Sequence, residues 1–351
     1  MEQAMRRHFF HHGDEGPIAE KQRCHWCQIR VFMTHERYPI TIVNDEDDTM
    51  IQPSFTFMDE SIRADDVAPT RREFLSGCEC EEDDDCQYNT CTCLQDVEEG
   101  SSEDEDDEDD DDEDLEPEPE DGYRDFKDGF RKKVYVYHTH GARAGHLRSK
   151  ILTSRNPIYE CHLSCVCTSL CPNRVVEKGR KVPLQIFRTK NRGWGVRSMA
   201  DIKKGQFVDK YMGEIITGQE ANQRRAQSHI AQKKDVYLFA LDKFSDPDSL
   251  DDRLRGPPLE VDGEFISGPT RFINHSCDPN LRIFARVGDH ADKHIHDLAF
   301  FAIRNIPRGE ELTFDYVDGV DDSDMDALDP EKQKDMTRCL CGSKKCRGYL
   351  W

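Results

Sequence analysis

The chain has 351 residues, of which 36% are hydrophobic and 34% are charged, and its formal net charge is −23. This length allows two or three domains with buried cores, while the high charged fraction indicates that part of the chain stays unfolded. No apolar run approaches the roughly 18 residues of a membrane span. The N-terminus lacks the apolar core of a secretory signal. The 15 cysteines of the chain therefore indicate a reducing compartment, in which clustered thiols bind metal.

Residues 1–70 are predicted to form an N-terminal segment that wraps over a neighbouring domain. Residues 38–43 and 55–57 are β-branched and aromatic runs typical of short strands or extended chain. The segment also contains a CxxC pair, Cys24 and Cys27. This pair is either two partly buried thiols or half of a zinc site, which a histidine would complete; the candidates are His11, His12 and His35.

Residues 71–175 contain nine cysteines in two blocks, which we interpret as one zinc module. Two tetrahedral sites need eight thiolates and three sites need twelve ligand positions. Nine thiolates fill twelve positions when three of them each bridge two metals, and the C-x-C pairs favour such bridging. A pair of simple zinc fingers is the alternative, and it leaves one cysteine over. The predicted ligands are Cys78, Cys80, Cys86, Cys91, Cys93, Cys161, Cys165, Cys167 and Cys171.

Between the two cysteine blocks lies an intensely acidic insert, residues 98–121. It contains 18 Asp or Glu residues and no Lys or Arg, so it is predicted to be disordered. A basic stretch, residues 131–150, follows it. The insert either mimics nucleic acid or holds a basic histone surface, or it is a solvating loop whose ends are fixed by zinc.

Residues 182–317 are predicted to form a compact domain of α+β class, mostly β. Thr217 and Glu220 form a capping box that opens a helix running to about Lys234. Many short strands with one helix argue against a doubly wound parallel sheet. The predicted strands are 182–187, 194–197, 206–212, 237–241, 281–285, 298–303 and 311–315.

The loop at residues 271–280 is a candidate site because its Cys277 has no cysteine near it in sequence. Its Asn, Ser, Asp and Pro residues are also ordinary turn residues, so a simple polar loop is the alternative. Three cysteines close to the C-terminus lack a fourth ligand. We therefore predict a zinc site formed by Cys277, Cys339, Cys341 and Cys346.

Four motifs together resemble those of SET-domain protein lysine methyltransferases. They are Arg192-Gly-Trp-Gly195, Tyr211-x-Gly-Glu214, Asn274-His-Ser-Cys277 and Glu310-Glu-Leu-Thr-Phe-Asp-Tyr316. The nine-cysteine module resembles a pre-SET zinc cluster, and residues 335–351 resemble a post-SET zinc module. The combination is similar to the suppressor-of-variegation class of histone H3 lysine-9 methyltransferases, and above all to its short fungal members without a chromodomain.

This resemblance implies a SET fold of several small sheets with a knot-like C-terminal threading. It also implies an enzyme that transfers methyl from S-adenosylmethionine to lysine 9 of histone H3. No GxGxxG fingerprint follows a strand, so a Rossmann-type cofactor site is not indicated. By resemblance the cofactor ligands are Arg192, Gly193, Trp194, Tyr237, Arg271, Asn274 and His275. The glycines allow close backbone approach, and the Asn-His pair offers hydrogen bonds to the adenine end.

The resemblance assigns catalysis to Tyr316, which aligns the amine and the sulfonium, with Tyr211 as a second hydroxyl. Phe314 lines the lysine channel, and since it lacks the hydroxyl that many relatives carry there, we expect a trimethyllysine product. Phe239 and Asp242 are predicted to contact the peptide on an extended segment. The same acidic stretch also contains Asp246-Pro-Asp248, for which a simple turn is the alternative.

Zinc is expected as three ions in the front cluster and one at the tail, beside S-adenosylmethionine. The expected partners are the histone H3 tail and chromatin-targeting adaptors, with no membrane and no direct DNA binding, because the overall charge is wrong for phosphate. The expected location is heterochromatin in the nucleus, with a link to DNA methylation. The last dozen residues are expected to close the lysine channel. The rival hypotheses are an inactive zinc-organised chromatin-binding protein and a lysine methyltransferase with another target.

Overall fold

The computed structural model describes residues 16–70, 75–88, 90–97, 132–227, 237–318, 327–334 and 336–350. Within these ranges the chain forms 19 short strands, five α-helices and four short 3-10 helices, which confirms the mostly β, α+β class. The α-helices are Ile18–Arg23, His25–Arg30, Ser149–Thr153, Gly218–Gln227 and Asp252–Arg255. The acidic insert, His11, His12 and the predicted helix end at Lys234 lie outside the described residues.

Three sheets make up most of the β structure. The first has five strands in the order β1 (Ile40–Val43), β7 (Leu184–Arg188), β8 (Trp194–Ser198), β17 (Glu311–Phe314) and β14 (Asn274–His275). The second has the order β11 (Leu238–Ala240), β12 (Glu260–Asp262), β10 (Glu214–Ile216) and β3 (Ile62–Arg63). The third has the order β6 (Ile158–Tyr159), β15 (Leu281–Val287), β16 (Asp297–Ala302) and β9 (Phe207–Tyr211).

Three two-stranded pairs complete the described β structure. They are β2 (Thr56–Phe57) with β13 (Ile266–Ser267), β4 (Gln95–Val97) with β5 (Lys132–Val134), and β18 (Thr337–Arg338) with β19 (Tyr349–Leu350). The acidic insert therefore lies between the paired strands β4 and β5.

The N-terminal segment adds one strand to each of three different sheets. β1 pairs in parallel with β7, β2 with β13, and β3 with β10. Sheet hydrogen bonds therefore connect residues 40–63 to the strands of the later domain at three separate places.

The predicted apolar strand at residues 298–303 is the interior strand β16, which is flanked by β15 and β9. A strand covered on both faces has no need for polar alternation. Phe300 and Phe301 are accordingly fully buried. Burying each ring contributes about 2–3 kcal/mol relative to leaving it exposed.

One buried cation joins the zinc-module region to this core. The Arg286 guanidinium on β15 contacts Glu160 at 3.1 Å, Glu177 at 2.7 Å and Asp297 at 3.2 Å. Removing one partner of such a buried network leaves an uncompensated charge, which costs about 3–5 kcal/mol. The two regions are therefore coupled energetically as well as by the pairing of β6 with β15.

Candidate active site

The site forms where β14 and β17 run side by side in parallel. Their register pairs Asn274 with Thr313 and His275 with Phe314. Because two parallel strands run in the same direction, the residues that follow each strand also lie close together. Cys277 and Tyr316, 39 positions apart in sequence, therefore lie in one small region.

The turn between β7 and β8 brings glycine residues, which have no side chain, to the same region. Gly193 has a φ of +74°, a conformation that favours glycine. A Cβ at Gly195 would stand 2.8 Å from Glu311 Oε1, so no larger residue fits without movement. Both glycines of the Arg192-Gly-Trp-Gly195 motif thus have a geometric reason to be there.

A cavity of about 460 Å³ opens at this junction. All seven residues expected to bind the cofactor line it, together with Tyr316: Arg192, Gly193, Trp194, Tyr237, Arg271, Asn274 and His275. The structure therefore brings together residues that lie up to 124 positions apart in the chain, from Arg192 to Tyr316. We call this space the first cavity.

Glu311 holds two of these residues and was not identified from the sequence. Its carboxylate accepts from the Arg192 guanidinium, and its Oε1 accepts from Asn274 Nδ2 at 2.8 Å. The Asn274 amide also donates to the Trp194 carbonyl at 3.1 Å. The Asn274 N–H groups are thus committed to the protein, and their role is to fix the cavity wall. The position of Glu311 in the Glu310-Glu-Leu-Thr-Phe-Asp-Tyr316 motif was the only available signal.

His275 likewise uses both ring nitrogens within the protein. Its Nδ1 accepts from the Tyr316 backbone N–H at 3.2 Å, so Nε2 carries the proton and faces Cys277 Sγ at 3.2 Å. Burial lowers the pKa of His275 to about 4, against the opposing charge of Asp315. The neutral imidazole therefore joins the catalytic tyrosine candidate to the predicted zinc ligand. The adenine contacts expected from the Asn274 and His275 side chains stay a prediction; here the polar atoms of both side chains contact protein partners.

An aromatic group surrounds Arg271 on the far wall of the first cavity. Its guanidinium carbon lies 4.2 Å from the ring centre of Tyr237 and 5.1 Å from that of Phe55. Phe55 belongs to a wall made by the N-terminal segment, which sequence analysis did not connect with this site: Thr49, Met50, Ile51, Gln52 and Phe55 all line the cavity. No local pattern marks them, because the contact depends on the wrapping of residues 40–63.

A second cavity of about 760 Å³ lies on the other side of Tyr316. It contains the three residues expected for the lysine channel and peptide, Phe314, Phe239 and Asp242. Asp278, Asp315 and Asp318 add three carboxylates to its lining, and these were not predicted. Asp246, in contrast, accepts from the Asp248 N–H at 2.9 Å, which confirms a turn there.

Tyr316 lines both cavities and is the point at which they meet. Its hydroxyl donates to the Ile273 carbonyl at 2.7 Å. Tyr211 lines neither cavity; its hydroxyl donates to the Tyr237 carbonyl at 3.0 Å, and its ring lies 4.5 Å from that of Phe239. Burial raises the pKa of both tyrosine hydroxyls well above the ordinary value. Both stay protonated at neutral pH and act as donors, not as bases.

The C-terminal tail lines the first cavity. Arg338, Leu340, Cys341 and Leu350 are part of its wall, and none of the described tail residues lines the second cavity. The expected closure of the lysine channel by the last dozen residues stays a prediction. The tail reaches the first cavity because Cys277, which contacts Cys339, follows β14 on that side.

The nine cysteines of the front module form one buried cluster. Neighbouring Sγ atoms lie 3.8 Å apart for Cys78 and Cys161, 4.0 Å for Cys91 and Cys161, and 3.4 Å for Cys93 and Cys165. Two thiolates on one tetrahedral zinc are about 3.8 Å apart, given Zn–S bonds of about 2.3 Å. Cys78 and Cys161 each belong to several groups of four that could hold a metal ion. This sharing is what bridging thiolates require.

The predicted tail site is also assembled. The sulfur atoms of Cys277, Cys339, Cys341 and Cys346 all lie within 4.8 Å of one another. The donor set fits a structural zinc ion. Such an ion would join the loop after β14 to the tail strands β18 and β19.

Family models match two parts of the chain: the Pre-SET motif at residues 32–174 and the SET domain at residues 193–317. The chain is 58% identical to the histone-lysine N-methyltransferase, H3 lysine-9 specific dim-5, of Neurospora crassa, over 100% of each chain. It is also 58% identical to the H3 lysine-9 specific enzyme KMT1 of Fusarium mangiferae, over 100% of this chain and 99% of that one.

Solved structures show the same similarity in three dimensions. The Neurospora SET domain protein DIM-5, a histone lysine methyltransferase, matches with a TM-score of 0.68 and 54% identity. The match covers 87% of this chain and 100% of that one. The expected fold of small sheets flanked by cysteine modules is thereby confirmed.

Proposed function

Since this chain belongs to the SET-domain histone-lysine N-methyltransferases, we propose that it methylates lysine 9 of histone H3, using S-adenosylmethionine, to the trimethyl state. The observation that carries the proposal is the junction of two cavities at Tyr316. One cavity takes the methyl donor and the other takes the lysine. An in-line transfer needs the two reactants to meet from opposite sides of one point.

The first cavity fits the cofactor by its residues. Arg192 and Arg271 line this cavity. The Arg192 guanidinium is paired with Glu311, and that of Arg271 donates to the Gly263 and Glu264 carbonyls. The remaining N–H groups suit a carboxylate-bearing ligand, which the Gly193 backbone lets approach closely. Tyr237 and Trp194 supply aromatic surface for an adenine ring. S-adenosylmethionine supplies the electrophilic methyl group; the protein's residues bind and orient it.

The second cavity prepares the nucleophile. A free lysine has a pKa of about 10.4, and only its neutral amine attacks a methyl group. Phe239, Phe314 and Tyr316 surround the channel with aromatic carbon. The ring centre of Phe314 lies 5.8 Å from that of Phe239 and 4.7 Å from that of Tyr316. Desolvation there lowers the pKa of the entering amine and favours its neutral form. Orientation by the Tyr316 hydroxyl then contributes more than proton removal by any side chain.

The second cavity also suits a basic, extended peptide. β11, which carries Phe239, is the last of the described strands in its sheet, and among these strands it pairs with β12 alone. Its other edge is therefore available for an added strand. Asp242, Asp278, Asp315 and Asp318 line this cavity together with Arg155, Lys243 and Arg282. Asp318 pairs with Arg155 and Arg282, Asp278 with Lys345, and Asp315 with Arg347. Asp242, just after β11, is therefore the carboxylate that we expect to attract the basic H3 tail and select its register.

Phe314 supports the trimethyl assignment. Its buried ring packs 5.0 Å from that of Phe300 and 4.7 Å from that of Tyr316, at the inner end of the lysine channel. A hydroxyl at this position would anchor a water and hold back a partly methylated amine. The Phe314→Tyr variant should therefore accumulate monomethyl and dimethyl products in mass spectrometry. Phe284→Tyr, on the wall of the same cavity, is the matched control, and an unchanged trimethyl yield in Phe314→Tyr would overturn the assignment.

The metal content proposed is about three zinc ions in the front cluster and about one at the tail. The thiol spacing described above supports this distribution. Nuclear location in heterochromatin, adaptor proteins that recruit the enzyme, and a link to DNA methylation are proposed from the relatives' activity on histone H3. Among the described residues, no helix has the length and apolar character needed to cross a membrane.

Transfer of labelled methyl from S-adenosylmethionine to H3 tail peptides tests the activity. We expect label on the unmodified peptide and none on a peptide in which lysine 9 is replaced by arginine. Absence of label on any substrate would favour the inactive chromatin-binding alternative. Label on the arginine peptide, or preference for other sequences on a peptide array, would favour another target.

A further inference from the structure

Two cysteines belong to neither of the two cysteine clusters described above. Of the 15 cysteines in the chain, nine belong to the front cluster and four to the tail site. The other two are Cys24 and Cys27, and neither the cofactor cavity nor the peptide cavity includes them. Both thiols are partly exposed.

The local backbone brings these two thiols together. Cys24 immediately precedes helix His25–Arg30, and the Gln28 N–H donates to the Cys24 carbonyl at 3.0 Å, which closes one helical turn. Residues three apart in such a turn have Cα atoms about 5 Å apart. Disulfides form at Cα separations of roughly 4.4–6.8 Å. The helix can therefore accommodate a bond between Cys24 and Cys27 without unwinding.

The thiols are in contact and can be reached by a small molecule. Burial, and then the charge and hydrogen bond of Cys24, raise the pKa of the Cys27 thiol. Cys27 also lines a surface cavity of about 500 Å³ formed by the first two helices. Lys21 and Arg30 line the same cavity, and their charges favour the Cys27 thiolate.

We propose that Cys24 and Cys27 form a reversible intramolecular disulfide when a peroxide oxidises the protein. One thiolate attacks a peroxide oxygen, so an S–O bond forms, the O–O bond breaks and hydroxide leaves. The second thiolate attacks that sulfur, the S–S bond forms, and a second hydroxide leaves. The two thiol protons convert both hydroxides to water. Overall the dithiol loses two electrons and two protons, and the peroxide is reduced to water.

The pair lies next to the residues that hold one wall of the cofactor cavity. His25, between the two cysteines, contacts the Phe55 carbonyl through Nε2 at 2.8 Å. Gln28 accepts from the Phe57 N–H at 3.0 Å. Phe55 in turn lines the first cavity. The disulfide would therefore close around the turn that supports this wall, although its formation does not depend on methyl transfer.

The sequence supplies a clean assay. Trypsin cleaves after Arg23 and Arg30, so one peptide contains Cys24, Cys27 and no other cysteine. The reduced, zinc-loaded full chain is treated with stoichiometric hydrogen peroxide, its remaining thiols are alkylated, and peptides are analysed by mass spectrometry. We expect this peptide to lose two hydrogens and resist alkylation while the zinc content stays constant. Dithiothreitol should restore alkylation at both positions.

Variants separate the outcomes. In Cys24→Ser and in Cys27→Ser, the disulfide-containing peptide should be absent while the zinc content is unchanged. In Cys341→Ser, the tail zinc should be lost while the disulfide between Cys24 and Cys27 still forms. The primary measurement uses the unmodified chain, so it remains decisive even where a variant folds poorly. The proposal is overturned when the peptide stays fully alkylated at peroxide doses that already release zinc. It is also overturned when the unmodified chain binds one zinc ion more than Cys24→Ser, since the pair is then a metal site.

Discussion

Cys277 and Cys339 face each other with their sulfur atoms 3.8 Å apart, although 62 positions separate them in sequence. Cys277 follows the strand that carries Asn274 and His275, whereas Cys339 begins the tail cluster. This contact places the tail over the first cavity, where Leu340 and Leu350 form part of the wall. The proposed cofactor site is therefore completed by residues from the end of the chain.

The Tyr316→Phe variant should lose catalysis but keep cofactor binding. The change removes the hydroxyl that the Ile273 carbonyl fixes at the junction of the cavities and preserves the ring. We expect kcat to fall about 100-fold or more, because orientation of the reactants is lost. Stopped-time methylation assays and isothermal titration with S-adenosylmethionine measure the two quantities. Tyr135→Phe, which loses only a hydroxyl bond to the Pro172 carbonyl, is the control and should behave as the unmodified enzyme.

Activity should rise with pH through the range in which lysine loses its proton. Burial raises the pKa of Tyr316, so its hydroxyl remains protonated and its titration does not limit the rate at neutral or mildly alkaline pH. The neutral substrate amine becomes more abundant as pH approaches its pKa of about 10.4. A profile of kcat/KM that falls between about pH 7 and 9, where the fold remains intact, would contradict this account.

The loop between β15 and β16 should couple the front zinc cluster to peptide binding. Asp289 accepts from the Ser76 N–H at 2.9 Å, and His290 contacts the Cys93 carbonyl at 2.8 Å. The same loop ends at His296, which lines the second cavity. Asp289→Ala should raise the KM for peptide about fivefold, because the loop is then less ordered. This change corresponds to about 1 kcal/mol of binding free energy.

Cofactor affinity should be unchanged in Asp289→Ala, because the loop does not reach the first cavity. Asp289→Asn retains an acceptor for Ser76 and should recover much of the peptide affinity. Equal losses of peptide and cofactor affinity in Asp289→Ala would instead indicate general unfolding.

Acid should weaken the fold through His146. Burial, then His138, Arg143 and Lys203, lower the pKa of His146 to about 4. Because the folded pKa lies below the ordinary value of about 6.5, its contribution is present above pH 6.5 and is lost as pH falls towards 4. Between about pH 7.5 and 5.5 the loss should be about 1 kcal/mol after solvent screening. Urea unfolding of His146→Gln should lack this part of the decrease; an identical decrease would contradict it.

Sequence patterns identified the longer strands and the motif residues more readily than the residues that form and support the cavity walls. The strands predicted at 182–187, 194–197 and 298–303 correspond to β7, β8 and β16, each of which is at least five residues long. β10 and β12 have three residues each, which is too short for any periodicity to show.

The missed site residues share a different cause. Glu311 resembles any surface glutamate until the fold brings it to Asn274 and Arg192, and Phe55 resembles any strand residue until its segment wraps over Arg271. Their roles depend on contacts between distant parts of the chain. Cys277 was predicted because the three C-terminal cysteines need a fourth ligand to bind zinc, and the number of cysteines can be read from the sequence.

The most direct test compares the unmodified enzyme with Cys277→Ser for zinc content and for the dissociation constant of S-adenosylmethionine. Cys27→Ser, a cysteine outside both clusters, is the matched control. We predict about four zinc ions in the unmodified enzyme and in the control, and about three in Cys277→Ser. Cofactor affinity should fall roughly 10- to 100-fold in Cys277→Ser, with the front cluster and the remaining fold retained. Equal zinc content and equal cofactor affinity in all three proteins would contradict the claim that the tail completes the cofactor site.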